Sequence, residues 1–328
     1  MSPRARAVAA KSSARPSVLA SRKAQPLATT NGAGSGAQRL EVRKTYKLYI
    51  GGAFPRTESG RAYEIRGARG ELLANACRGT RKDIRDAVRA ARTAVPEWSA
   101  RTGFNRSQIL YRIAELMEGR RDQFIGEVMA AEGIGRQRAT RLTDAAIDRW
   151  VWYAGWADKF SQMNGSVNPV NGSYFNFSVP EPSGVVGVIA PEGSSLLGLV
   201  SRLAPVIVSG NCAVVLASET RPLPAVTLTE VLATSDVPGG VVNLITGLRR
   251  ELVLHLAGHM DVNALDAYGL DPAQGVAVEE LATENVKRLV RPPRGGADAV
   301  DWLSPNAQSP YLIGEFVETK TVWHPIGS

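Results

Sequence analysis

Between residues 184 and 268 three continuous apolar runs, "GVVGVIAP", "NCAVVLA" and "GVVNLIT", alternate with helical stretches and end at "VNALDAY". A strand without polar alternation has to be covered on both faces. Parallel neighbours also need a crossover of about a dozen residues, and a helix supplies it. The order therefore predicts βαβ units and an α/β fold built on a Rossmann-like parallel sheet. Helices are expected at about 194–209, 223–236 and 250–259, with "VNALDAY" as a fourth strand.

The flanks obey other periods. "YKLYIGGAFPRTESGRAYEIRGARGELLANACRG", 46–79, reads as short strands and hairpins between glycine-rich turns. Helical spacing follows, with Ile84, Val88, Ala91 and Val95 on one face. Thr80 with Asp83 predicts a capping box at its start. Residues 105–133 predict one or two helices and 143–162 another, whose Trp150, Trp152, Tyr153 and Trp156 are expected in the core. "GSYFNFSVPEPSG", 172–184, reads as an edge strand or hairpin because of Pro180 and Pro182. After 275 the pattern loosens. Residues 291–310 read as a Pro/Gly-rich loop, and "YLIGEFVETKTVWHPIG" as an exposed strand carrying Phe316, Thr319 and Val322.

The net charge of +8 would suggest a polyanionic partner were it not localised. Residues 1–40 carry seven of the basic residues and no acidic one; the other 32 Lys and Arg face 31 Asp and Glu. The folded part is close to neutral, so no nucleic-acid partner is expected. No apolar run approaches membrane-spanning length, so no membrane partner is expected either. Residues 1–44 are expected to be a disordered basic tail, too poor in apolar residues to offset ordering entropy. An Arg- and Ser-rich, acid-free tail is also the signature of an organelle transit peptide. The expected location is cytoplasmic, with an organelle matrix as the alternative. Two cysteines, Cys77 and Cys212, are too few for a secreted disulfide scaffold.

Several ordered segments together resemble the aldehyde dehydrogenase family: "LYIGGAF", "VPEWSA", "EPSGVVGVIAP", "RLAPVIVSGN", "SETRPLPA", "DVPGGVVNLITG", "GHMDVNAL" and "ETKTVWHPIG". The resemblance covers about 45–290 and 311–328. It implies an NAD(P)-binding domain over 45–290 that includes an arm hairpin at about 165–182. It implies an arm strand at 311–328, and a catalytic domain replaced here by the loop 291–310. NAD or NADP is the implied cofactor.

The departures from the family's pattern carry the functional reading. Where the family has "PWN", with an oxyanion-holding asparagine, this chain has Pro191, Glu192 and Gly193. One lost oxyanion donor costs about 10²–10³ in turnover. The family's "KPSE" aligns with Leu216 to Glu219: the cofactor lysine becomes leucine and the ribose-binding glutamate remains as Glu219. Its "TGFGP" becomes Thr246, Gly247, Leu248, Arg249 and Arg250; Arg249 would crowd a phosphate cradle or else pair with the phosphate. Its "FTGS" becomes Ala267, Tyr268, Gly269 and Leu270, without the serine. Its "ELGG" base falls near Pro292 and Pro293, and no cysteine follows Cys212.

Other candidates have plainer readings. Cys212 is expected in a buried strand and Cys77 lacks a nearby histidine, so neither reads as a nucleophile. His255 and His259 have ligand spacing but no third ligand, so no metal is expected. His324 has no visible partner. Glu192 reads as a solvent-facing turn glutamate, with general base as the alternative. The sequence therefore predicts no catalytic residue. It leaves vestigial cofactor positions at Glu219, Gly247, Arg249 and Gly269, and weak or lost nucleotide binding. The expected function is an inactive subunit or scaffold partner of a full-length aldehyde dehydrogenase, in a hetero-oligomer. The alternatives are an oxidoreductase subunit completed by another chain and a structural or targeting adaptor. The resemblance also implies that the closing strand would lie unpaired without a neighbour to receive it.

Overall fold

The structure, a computed structural model, describes residues 42–327. The tail expected over 1–44 lies outside the described residues up to residue 41. Three short strands open the described chain: β1 (Thr45–Tyr46), β2 (Ala62–Arg66) and β3 (Leu72–Cys77). They form one sheet in the order β1-β3-β2. Helix α1 (Arg81–Ala100) starts at the expected capping box, with the Thr80 amide 2.7 Å from Asp83 Oδ2 and the Asp83 amide on Thr80 Oγ1. α2 (Gly103–Gly119) and α3 (Arg121–Glu132) are the two helices expected over 105–133.

The helix expected at 143–162 is corrected. α4 runs Arg136–Ala154, and the short α5 (Phe160–Asn164) follows a turn at Gly155. Polar Arg136, Gln137 and Arg138 hid the first turn, whose side chains face solvent. Trp150 and Tyr153 are fully buried, and Trp152 and Trp156 pack beside them as expected.

The core is a five-stranded parallel sheet: β6 (Val185–Ile189), β7 (Cys212–Leu216), β8 (Val242–Ile245), β9 (Ala264–Asp266) and β10 (Arg288–Val290). Every residue of β6, β7, β8 and β9 is buried, which is why their sequences show no alternation. The strand order is β10-β9-β6-β7-β8. The crossovers β6 to β7 and β7 to β8 are α6 (Leu197–Val208) and α7 (Leu223–Leu232), backed by α2, α3 and α4. The sheet then reverses its growth. α8 (Arg249–Ala257) leads to β9 and packs with α1 and α9 (Gly275–Thr283). β10 and α9 lie where the pattern loosened. α9 buries only Val278 and Ala282, so its apolar signal is thin.

A third sheet holds β4 (Ser166–Asn168), β5 (Tyr174–Pro182) and β11 (Val317–Pro325), in the order β11-β5-β4. β4 and β5 form the expected hairpin, within 165–182. Of the two alternatives for 172–184 the hairpin holds and the edge strand does not: β5 is central, though β4 covers only Asn176–Ser178 of it. Pro180 and Pro182 therefore sit where only β11 is paired, and the proline constraint is still met. β11 is not unpaired: it runs antiparallel to β5 over nine residue pairs from Val317 to Pro325. Phe316 precedes the strand, after α10 (Tyr311–Gly314), and is fully buried. A spacing of three residues does not follow a strand's period of two.

Residues 291–310 form the expected loop, and it is packed onto the body. They contain two 3₁₀ turns, at Ala297–Ala299 and Pro305–Ala307. The buried guanidinium of Arg149 on α4 donates to Ala307 O at 2.9 Å and Trp302 O at 3.0 Å. Trp302 also packs on Tyr268, with ring centroids 6.2 Å apart.

Candidate functional site

In a doubly wound sheet the ligand crevice lies beyond the carboxyl ends of the strands, where the order reverses. Here that point is between β6 and β9. Arg249, the first residue of α8, reaches into it. Its Nη1 donates to Gly269 O at 2.8 Å, and its Nη2 donates to Ala190 O and more weakly to Ala217 O. These carbonyls sit just beyond β9, β6 and β7. Arg249 Nε lies 2.8 Å from Glu192 Oε1, yet without hydrogen-bond geometry, so this contact is ionic. Burial pushes the Arg249 pKa down, against the pull of Glu192 and Glu219.

Glu192 is a partly exposed turn residue, as expected, but its carboxylate is not free. It accepts from Ser218 Oγ at 2.5 Å, the Glu219 amide at 2.7 Å and Thr220 Oγ1 at 3.0 Å. Burial pushes its carboxyl up, but Arg249 and these donors outweigh that and hold it below the usual range. Saturated with donors and paired, it is not a poised general base. Glu219 is also engaged: its Oε2 accepts from the Arg249 amide at 2.7 Å, at the N-terminus of α8.

Gly269 and Gly247, which match the family's motifs, have packing reasons. Gly269 lies so close to β6 that an added Cβ would stand 2.1 Å from Ala190 O. Gly247 has φ +150°, and an added Cβ would meet the Gly79 amide nitrogen at 2.9 Å. Gly193 is exposed, and a Cβ there would stand 2.6 Å from Asp298 Oδ1 in the segment after β10. The sequence candidates Glu192, Glu219, Arg249 and Gly269 are thus brought together at one crevice. Gly193 lies beside it, and Gly247 supports the turn that delivers Arg249.

Sequence reasoning missed a second ion pair at the same end of the sheet. Arg202 on α6 is 1% exposed and its Nε lies 2.6 Å from Asp266 Oδ2 on β9. Its Nη2 reaches Glu315 Oε2 at 2.9 Å, and the Tyr268 ring stacks on the guanidinium at 3.8 Å. The available signal was one arginine inside the apolar stretch "GLVSRLAPVIV".

Both cysteines are buried, and burial pushes the Cys212 thiol up to about 12. His255 and His259 line a cavity between α1 and α8, and no group of three or more metal-ligating side chains forms among the described residues. No described helix is long and apolar enough to cross a membrane.

The parallel sheet and its switch point define a Rossmann-like architecture. The comparisons give the family. The model described as "Aldehyde dehydrogenase family" matches residues 55–299, and the chain belongs to that family. It is 31% identical over 273 residues to aldehyde dehydrogenase family 2 member B4, mitochondrial, of Arabidopsis thaliana, covering 82% of this chain and 48% of the relative. It is 30% identical over 257 residues to retinal dehydrogenase 2 of Gallus gallus, covering 76% and 48%. The NAD+ complex of a Bacillus cereus aldehyde dehydrogenase is similar with TM-score 0.70 and 26% identity, over 75% of this chain and 50% of that one. HpcC from Thermus thermophilus is similar with TM-score 0.71 and 29% identity, over 76% and 48%. The chain spans about half the length of the relatives it matches.

Proposed function

We propose that this chain is a catalytically inactive aldehyde dehydrogenase family member that acts as a subunit or scaffold partner of a complete one. The carrying observation is Arg249. It spans the crevice and hydrogen-bonds to the carbonyls beyond β6, β7 and β9, with Glu192 as its counter-ion. The residues present do not fit an NAD(P) pyrophosphate: one guanidinium fills the approach, and the Glu219 carboxylate stands at the helix start that would receive an anion. The inferred cofactor affinity is weak or absent. Further support is chemical. A nucleophilic thiol needs exposure and a lowered pKa, and Cys212 has neither.

The partner reading rests on the third sheet. β11 is an edge strand, and Val167, Tyr174, Phe175 and Trp323 are exposed on this sheet. Strand addition to such an edge would cover both backbone groups and rings. The test is co-expression with a full-length family member from the same source, followed by identification of the chains in one purified complex. A monodisperse chain that ignores every such member would overturn the reading.

A further inference from the structure

The cavity between α1 and α8 is unrelated to the crevice and to the partner reading. It holds about 380 Å³ and is lined by Arg81 and Arg85 of α1, and by His255 and His259 of α8 and its end. Its apolar wall is Ile84, Leu254 and Leu281. No carboxylate lines it. The spacing of four residues puts Arg81 and Arg85 on one face of α1, and His259 follows the end of α8, whose last turn carries His255.

The cations here are under-compensated. Elsewhere arginines meet carboxylates across turns and helices, as Arg66 meets Glu64, Arg112 meets Glu115 and Arg121 meets Asp144. Arg85 has only its sequence neighbour Asp86, and Arg81 forms no ion pair among the described residues. The surroundings add positive charge. Burial holds the His259 imidazole below its usual range, and Lys287, Arg89 and Arg92 push it the same way against Asp261. His259 Nδ1 accepts the Asp261 amide at 3.2 Å, so the neutral ring carries its proton on Nε2 as a donor.

We propose that this cavity binds a small organic phosphate monoester, its apolar body on Ile84, Leu254 and Leu281 and its phosphate between the arginines and histidines. The volume falls within the small-ligand range of about 300–1,000 Å³. Two guanidinium groups match the dianion in charge and in forked donor geometry. The apolar wall separates such a ligand from free phosphate.

The chain's three histidines make the test direct. Phenyl phosphate is titrated into the full chain and followed by calorimetry and by histidine NMR. Saturable binding is expected, with shifts at His255 and His259 and none at His324, and with a rise in the His259 pKa. Affinity should exceed that for inorganic phosphate or benzoate by about tenfold or more. The double variant Arg81→Gln/Arg85→Gln should lose about tenfold while keeping its melting temperature, because both side chains are exposed. His255→Gln/His259→Gln serves as a second variant should the first fail to fold. Equal binding of inorganic phosphate or benzoate, shifts centred on His324, or affinity unchanged in the folded variants would overturn the proposal. So would tighter binding of a short oligonucleotide at the same residues.

Discussion

Arg249 Nε and Glu192 Oε1 stand 2.8 Å apart at the carboxyl end of β6, where the parallel sheet reverses its strand order. The pair ties two segments together at the switch point. Glu192 comes from the turn after β6 and Arg249 from the first turn of α8. Each is also held by backbone: Arg249 donates to Ala190 O and Gly269 O, and Glu192 accepts the Glu219 amide. A contact so anchored costs little side-chain entropy to maintain once the fold has formed.

The chain is expected to bind NAD and NADP weakly or not at all, as read by titration calorimetry. Arg249→Gly should preserve the sheet and raise nucleotide affinity, because it removes the guanidinium and restores a small residue at the crevice. A low-micromolar constant for the unaltered chain would show that Arg249 pairs with the phosphates after all.

Cys212 should resist iodoacetamide at pH 8 in the native protein and react after denaturation. Its thiol is buried and pushed up to about 12, so almost no thiolate is present. The chain should also show no NAD(P)-dependent aldehyde oxidation. Turnover that disappears in Cys77→Ser/Cys212→Ser would refute this.

Arg202→Met should destabilise by about 3–5 kcal/mol in urea, because it leaves Asp266 charged and fully buried. The double variant Arg202→Met/Asp266→Leu should recover much of that loss, since an apolar pair replaces the ions. An equal or larger loss in the double variant would mean that Arg202 acts mainly through Tyr268 and Glu315.

The four all-buried strands were legible because full burial writes itself as apolar runs. The Thr80–Asp83 cap was legible because a capping box is local. The crevice residues were named from the sequence, but their mutual contacts were not. Glu192 and Arg249 are far apart in the chain, and only the sheet order brings them together. α9 and β10 were missed because two buried residues on α9 and one, Val290, on the three-residue β10 leave little pattern. Phe316 read as strand and proved to be core, which also changes experimental design. Deleting 311–328 would remove Ile313 and Phe316 from the main core and the Phe316 carbonyl from Asn211.

Lys287 gives a pH dependence with a defined sign. It is 7% exposed, and its Nζ donates to Val262 O at 2.9 Å and Asn285 Oδ1 at 2.8 Å. Burial pushes its pKa down from 10.5 to about 8. The folded state therefore holds fewer protons than the unfolded state between these values, and stability rises with pH across that window. The melting temperature of the unaltered chain, minus that of Lys287→Gln, should increase from pH 7 to pH 10. A flat difference would mean that these acceptors, with His259 O at 3.2 Å, keep the ammonium charged at its ordinary value.

Assembly is tested at β11. Its inner edge is taken by β5, so only its outer edge is open to another chain. Trp323 is 58% exposed and stacks edge-on against Tyr174 at 5.8 Å, forming an apolar patch beside that edge. Trp323→Lys places a charge in the patch and leaves the β11–β5 backbone pairing intact, so the fold should survive with a change within about 0.5 kcal/mol. The heteromer with a full-length family member should weaken by about tenfold or more, as expected for an aromatic anchor at an interface. Thr319→Lys, exposed on the same strand but outside the aromatic pair, should weaken it less. Size-exclusion chromatography with light scattering reads both complexes. Equal loss in the two variants would place the contact along the backbone edge alone, and no loss in either would move the partner surface off this sheet.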